Sequence, residues 1–270
     1  MHRASKLLGL FTFILILAGG LVTSTGSGLS VPDWPLSYGQ VFPPMIGGIR
    51  FEHTHRVIAG LVGLCTLALS IIFFLKEKRH WVRLLALGAT LLVLLQAVLG
   101  GLTVIYLLPT AVSVAHACVG QTFFCVIVSL ALLTSKEWKE KIGIVAPSSR
   151  SIQRLSVITT IFIYLQLIAG AVVRHTRGHG VIVHIVLAFL ILLHILLTLL
   201  KISREDALGE KLMPNAILLG LLALAQIFLG IGAFIMKEVF VRTAHQANGA
   251  LVLVTSLALT LRAFRLLKAE

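Results

Sequence analysis

The chain has 270 residues, 58% of them hydrophobic and only 12% charged, about half the charged fraction of an ordinary soluble domain. Apolar runs of about 20 residues, the length that crosses a bilayer, recur from end to end and exclude a soluble globular protein. In that setting the formal net charge of +13 reads as membrane topology and contact with anionic headgroups of the lipid bilayer, not as nucleic-acid binding.

His2, Arg3 and Lys6 precede the first apolar run, which continues into Gly-Ser-Thr-rich sequence without a small-residue cleavage site. It is therefore read as a retained span and not as a signal peptide. Eight spans follow the hydropathy pattern, at about 7–25, 53–75, 82–106, 111–134, 152–173, 180–200, 213–236 and 241–262. With the N-terminus placed inside, 17 of the 23 lysines and arginines fall on the cytoplasmic side. Only Arg50, Arg56, Arg174, Arg177, Lys237 and Arg242 fall outside. This asymmetry predicts a multi-pass cell-membrane protein with both termini cytoplasmic.

The chain also repeats. AGGLVTSTGSG from Ala18 answers AGAVVRHTRG from Ala169, QAVLGG from Gln96 answers QIFLGI from Gln226, and VAHACVGQ around His116 answers TAHQANGA around His245. The fold class expected is an all-α membrane protein, its eight transmembrane helices forming two tandem pseudo-symmetric four-helix bundles. The halves are drawn at 1–135 and 152–270, with 136–151 as a charged cytoplasmic linker and a long outer loop over 26–51. That loop holds Gly, Pro and Ser throughout, so ordered turns are expected. Trp34 and Tyr38 suit either the interfacial aromatic belt or a lid over a site at the outer helix ends.

Of the ten histidines, four sit within the first residues of even-numbered spans: His55, His116, His184 and His245. On the predicted topology they share one depth, toward the outer side. Polar groups inside a bilayer are costly and usually have a task. Paired imidazoles on facing helices are a known way to hold haem iron, whereas structural zinc more often recruits thiolates or carboxylates. Cys65, Cys118 and Cys125 lie in apolar runs without metal-type spacing and read as small core residues. Two haem sites, one per half, is the reading. The halves are not equivalent: Glu52, three residues before His55 and on its helical face, has only Val181 as its counterpart. Glu52 serves either to compensate a helix N-terminus or to act beside a reacting group as proton donor, acceptor or stabiliser.

Arg56, Arg174, Arg177 and Arg242 are placed either to pair with haem propionates or to anchor the interface. His175 and His179 flank a short outer turn. His194, Gln96, Gln166 and Gln226 are expected as interior hydrogen-bonded residues, and His2 and His80 as cytoplasmic flanks. His53 lies on another face.

GGLVTSTGSGLSVPDWPLSYG from Gly19, the EHTHR block from Glu52, VAHACVG and TAHQANG together resemble the haem A synthase family of cytochrome oxidase assembly. The resemblance implies oxidation of the C8 methyl of haem O to a formyl group, giving haem A. It implies a b-type haem as electron relay on His184 and His245, and the haem O substrate facing His55 and His116, with Glu52 needed for activity. Molecular oxygen or water, a haem O synthase and an unidentified electron donor are the partners implied, and a homo-oligomer is left open. Val31 and Ser37 stand where many bacterial members carry a loop cysteine pair, so a thiol role there is absent. A non-catalytic dihaem electron-transfer protein of cytochrome b type is the alternative, and a histidine-relay transporter is a third class.

Overall fold

The structure, a computed structural model, describes residues 1–139, 143–176 and 178–268, with 206–209 as backbone. Eight long helices are found: α1 (His2–Ser24), α2 (Ile49–Lys76), α3 (His80–Ile105), α4 (Thr110–Leu133), α6 (Ser149–His175), α7 (Val181–Ser203), α8 (Asp206–Ile235) and α9 (Val239–Leu266), with a four-residue α5 (Lys136–Lys139) between α4 and α6. All eight long helices are long and apolar enough to cross a membrane, α8 over Glu210–Ile235. The chain is thus an all-α, multi-pass membrane protein. Helix α2 starts at Ile49, earlier than the apolar pattern announces, which puts Glu52 in its first turn. The turn added to the expected span of about 53–75 is Ile49–Glu52, where Arg50 and Glu52 break the apolar run.

Two strands of two residues each, β1 (Ile144–Val145) and β2 (Leu267–Lys268), pair in parallel. The stretch expected as a plain linker therefore carries its own short pairing with the chain's end. Helix starts follow local chemistry. Pro109 precedes α4 with φ −60° and ψ 133°, an extended geometry its ring favours. Gly180 takes φ 83° before α7, a left-handed turn that a Cβ would disfavour.

The chain divides into two compact units, Met1–Thr134 with Gly232–Ala247, and Ser135–Ile231 with Asn248–Glu270. In the first, α1 packs on α2 and α4, and α3 packs on α2 and α4, closing a ring of four. Its apolar core draws Leu8 from the start of α1, Leu69 and Phe73 from the end of α2, Val82 and Ala86 from the start of α3, and Ile127 and Leu130 from the end of α4. The core thus fills one end of the bundle. Within a bilayer such packing is held by van der Waals fit and interhelical hydrogen bonds, not by exclusion of water. Ser70 supplies one such bond, lying 2.7 Å from the Ala86 carbonyl and from Thr90 Oγ1 on α3. The turn at this end is fixed by Arg79, which donates to both Glu77 oxygens at 3.0 and 2.9 Å and to the Leu133 carbonyl at 3.0 Å. These side-chain bonds hold the Glu77 carboxyl down at about 2.

In the second unit α6 packs against α7. Thr160 on α6 meets Ser256 and Thr260 on α9 at 2.7 and 2.9 Å. Arg262 donates to Glu137 at 2.8 Å and to Asn215 at 3.1 Å, while Arg265 lies over the Trp138 ring at 5.8 Å.

Candidate functional site

The end of the first unit opposite its core holds the loop between α1 and α2. Arg56, two turns into α2, organises this loop. Its NH1 donates to the carbonyls of Asp33 and Leu36 at 2.7 and 2.9 Å, and its NH2 to Glu52 Oε1 at 2.6 Å and the Val31 carbonyl at 3.4 Å. Glu52 Oε2 in turn accepts the Val31 amide at 2.9 Å. Glu52 is 4% exposed, so its charge is matched where water is scarce, as a buried carboxylate requires.

Further along the loop, Ser37 and Gln40 exchange backbone bonds at 3.1 and 3.0 Å around Tyr38 and Gly39, both at positive φ. Two such residues in succession form the mirror-image tight turn. Asp33 locks it by accepting the Tyr38 and Gly39 amides at 2.7 Å each, and these bonds draw its carboxyl below the usual carboxylate range. Ser37 Oγ lies 2.9 Å from His53 Nδ1, and Val31 is fully buried. The two positions expected to lack a thiol are thus held by a hydrogen bond and by packing. The Trp34 ring lies against Gly101 on α3, where an added Cβ would meet it at 2.8 Å.

Below the loop, the His55 ring rests on α1. A Cβ at Gly19 would stand 3.0 Å from His55 Cε1, and the Leu15 carbonyl, one turn earlier, lies against the same ring. On the other side of the bundle His116 rests on α3 in the same manner, with Gly100 leaving room 3.3 Å from its Cε1. His55 and His116 are near enough to act on one another electrostatically. Glycine on one helix and imidazole on the next is the shared device, because only hydrogen at that position admits the ring. Both rings are half-buried. A neutral imidazole oriented by its own helix neighbours and open at one edge is a fitting axial ligand for a porphyrin iron. Among the described residues no group of three or more His, Cys, Asp or Glu side chains gathers to hold a bare metal ion.

The second unit repeats the device. A Cβ at Gly170 on α6 would stand 3.0 Å from His184 Cε1 on α7, and the Gln166 carbonyl, one turn earlier, faces that ring. Gly19 and Gly170 are 151 residues apart, and so are Leu15 and Gln166, the offset of the sequence repeat. His245 lies in the second turn of α9, half-buried, in the segment that groups with the first unit.

Arg56, read as either a propionate partner or an interfacial anchor, commits both terminal nitrogens to Glu52 and the loop. Glu52 and His55 share a helix turn, but the Glu52 carboxylate bonds Arg56 and Val31, not the imidazole. Arg174 ends α6, and Arg177 lies outside the described residues. His2, expected as a free flank, bonds the Ala131 carbonyl at 2.8 Å. His194 packs edge-on against Phe162 at 5.0 Å. Its Nδ1 is buried without a hydrogen bond, as are the side-chain oxygens of Gln96 and Gln166. Gln226 does bond, to Asn248 at 2.7 Å. The glycine perches were missed in the sequence, although Gly19, Gly100 and Gly170 each lie in the repeated segments that signalled them.

Fold and site together define a polytopic helical membrane protein whose paired imidazoles sit early in their helices, each on a glycine of the helix before. The chain belongs to the COX15-CtaA family of cytochrome oxidase assembly proteins, whose model matches residues 5–47 and 49–183. It is 30% identical over 189 residues to the heme A synthase of Bacillus pumilus, covering 66% of this chain and 61% of that protein. It is 31% identical over 189 residues to that of Bacillus licheniformis, with the same coverage, and 32% identical over 167 residues to that of an Exiguobacterium species, covering 60% and 54%. The matched stretch thus spans about three fifths of the length of these relatives.

Proposed function

We propose that this protein is a haem A synthase, oxidising the C8 methyl of haem O to a formyl group to give haem A for cytochrome oxidase. The observation that carries the reading is the pair His55 and His116, each seated on a glycine of the neighbouring helix and close to the other. In this reading they receive haem O as substrate by its iron, which leaves the porphyrin rim to the surrounding helices.

Glu52 is the catalytic carboxylate beside them. Ion-paired with Arg56, it offers negative charge near a rim carbon that becomes electron-poor during oxidation. Proton acceptance is the second service a carboxylate gives there. Arg56 positions both Glu52 and the loop, and the loop shields the site from water. Molecular oxygen or water supplies the formyl oxygen.

His184 and His245 are proposed as ligands of a b-type haem, on the strength of the sequence repeat, with Arg174 and Arg177 near its propionates. Such a haem supplies an electron-transfer centre. The architecture proposed is two tandem four-helix halves with both termini cytoplasmic and the histidines toward the outer side. A haem O synthase upstream and a separate electron donor complete the scheme.

The test is to purify the protein, record its spectrum and extract its haems. Haem b together with haem O or haem A is expected. Haem b alone at both sites makes the protein an electron-transfer subunit, and a colourless protein overturns both haem readings.

A further inference from the structure

The seam between α3 and α4 in the first unit and the seam between α8 and α9 in the second are built alike. Gln96 on α3 lies against Gly120 on α4, where an added Cβ would meet its Nε2 at 2.5 Å. Gln226 on α8 lies against Gly249 on α9, with the corresponding distance 3.2 Å. The two glutamines differ in what meets the amide oxygen. Asn248 donates to Gln226 Oε1 at 2.7 Å and to the Leu222 carbonyl at 2.9 Å. In the first unit the residue before the glycine is Val119, which has nothing to donate, and Gln96 Oε1 is buried with no hydrogen bond.

An unsatisfied amide oxygen away from water is costly, and the Asn248–Gln226 bond of the repeat indicates that one substitution, asparagine for Val119, would relieve it. Gln96 lies one helical turn before Gly100, the perch of His116. That step of about 6 Å is comparable to the span from the centre of a porphyrin to its rim.

Resting on the function proposed above, we infer that Gln96 Oε1 is a specificity-determining acceptor for a hydroxyl on the rim of the porphyrin substrate. Haem O carries one such hydroxyl on its isoprenoid side chain, which haem B lacks. A second arises on the C8 methyl when it is first oxidised. Either donor satisfies the oxygen that Val119 leaves bare. The bond then forms only with a bound substrate, which suits a group that discriminates between porphyrins.

The experiment uses the full chain with its second-half haem in place, titrated with haem O and with haem B. Wild type is expected to prefer haem O by about tenfold, the effect of one hydrogen bond. Gln96→Met, of similar shape but without the carbonyl, and Val119→Asn, which copies the Asn248 bond, both erase this preference while haem B binding stays unchanged. Both also raise the unfolding midpoint of protein lacking the substrate porphyrin, which separates the effect from misfolding. If the hydroxymethyl group is the donor, the haem O preference survives in both variants, and the hydroxymethyl porphyrin is instead released before conversion to the formyl product. Variants that keep both the wild-type preference and the wild-type product distribution overturn the inference alone. Wild type that binds no haem O overturns it together with the proposed function.

Discussion

The starts of α2 and α7 are the same device under different roofs. In each, an imidazole early in the helix sits on a glycine of the helix before it, His55 on Gly19 and His184 on Gly170. Over His55 stands a loop pinned by Glu52 and Arg56. At α7 the connection from α6 is a short glycine turn with Gly178 and Gly180 at positive φ, and Val181 stands where Glu52 would be. The shared part is what a haem ligand needs, namely room for the ring and a fixed orientation. The added part is a charge and a cover, which on the proposed function serve the oxidation of a substrate.

Removing the ligands breaks the comparison most severely. His55→Ala and His116→Ala are each expected to lower haem A formation by at least a hundredfold while the second-half haem remains, as haem extraction followed by chromatography will report. A variant at either site that still makes haem A at the wild-type rate removes the first-half assignment. His184→Ala is expected to remove the b-type spectrum and leave haem O bound.

Glu52→Ala is next in size. Haem O conversion is expected to fall by a hundredfold or more with b-type haem unchanged. Glu52→Gln, which can still accept the Val31 amide, separates the charge from the tether. If Gln restores activity, the carboxylate serves only to hold the loop.

The glycine perches come third. Gly19→Ala and Gly170→Ala each push a methyl group into an imidazole at 3.0 Å, an overpacking that costs about 1–3 kcal/mol in a well-filled site. The first is expected to weaken haem O retention and the second to shift the b-type spectrum, each leaving the other haem as it was. Crossed effects would show that the repeats do not act separately.

The smallest effects are in acid. Glu77 is held at about 2 by Arg79, below its ordinary value of 4.5. Its contribution to stability is therefore complete above about pH 4.5 and is lost as pH falls toward 2. Glu77→Gln is expected to flatten this limb of the unfolding midpoint between pH 5 and 2, and to leave activity at neutral pH unaltered. An unchanged acid limb would mean the Arg79 pairing adds nothing to the fold.

The eight spans were legible because apolar length is a property of the chain itself and the bilayer sets its measure. The first turn of α2, Ile49–Glu52, fell outside the span expected from about 53, since Arg50 and Glu52 interrupt the apolar run there. The histidine pattern was visible as spacing, but Gly19 and Gly100 looked like ordinary small residues of a span. Arg56 illustrates the limit most plainly. Its position at a helix mouth is shared with Arg174, and nothing in the sequence says that Val31, Asp33 and Leu36 will turn their carbonyls toward it.

The sequence by itself determined the class of protein, the number of its spans, the repeat and the asymmetry of Glu52, because these rest on composition and order. Tertiary structure alone decided which group each polar side chain meets. It gave Glu52 to Arg56 and the loop, the imidazoles to their glycines, and Asn248 to Gln226 while leaving Gln96 bare. Hydrogen bonds and close packing depend on atoms brought within a few ångströms from distant parts of the chain, and no local pattern encodes that distance.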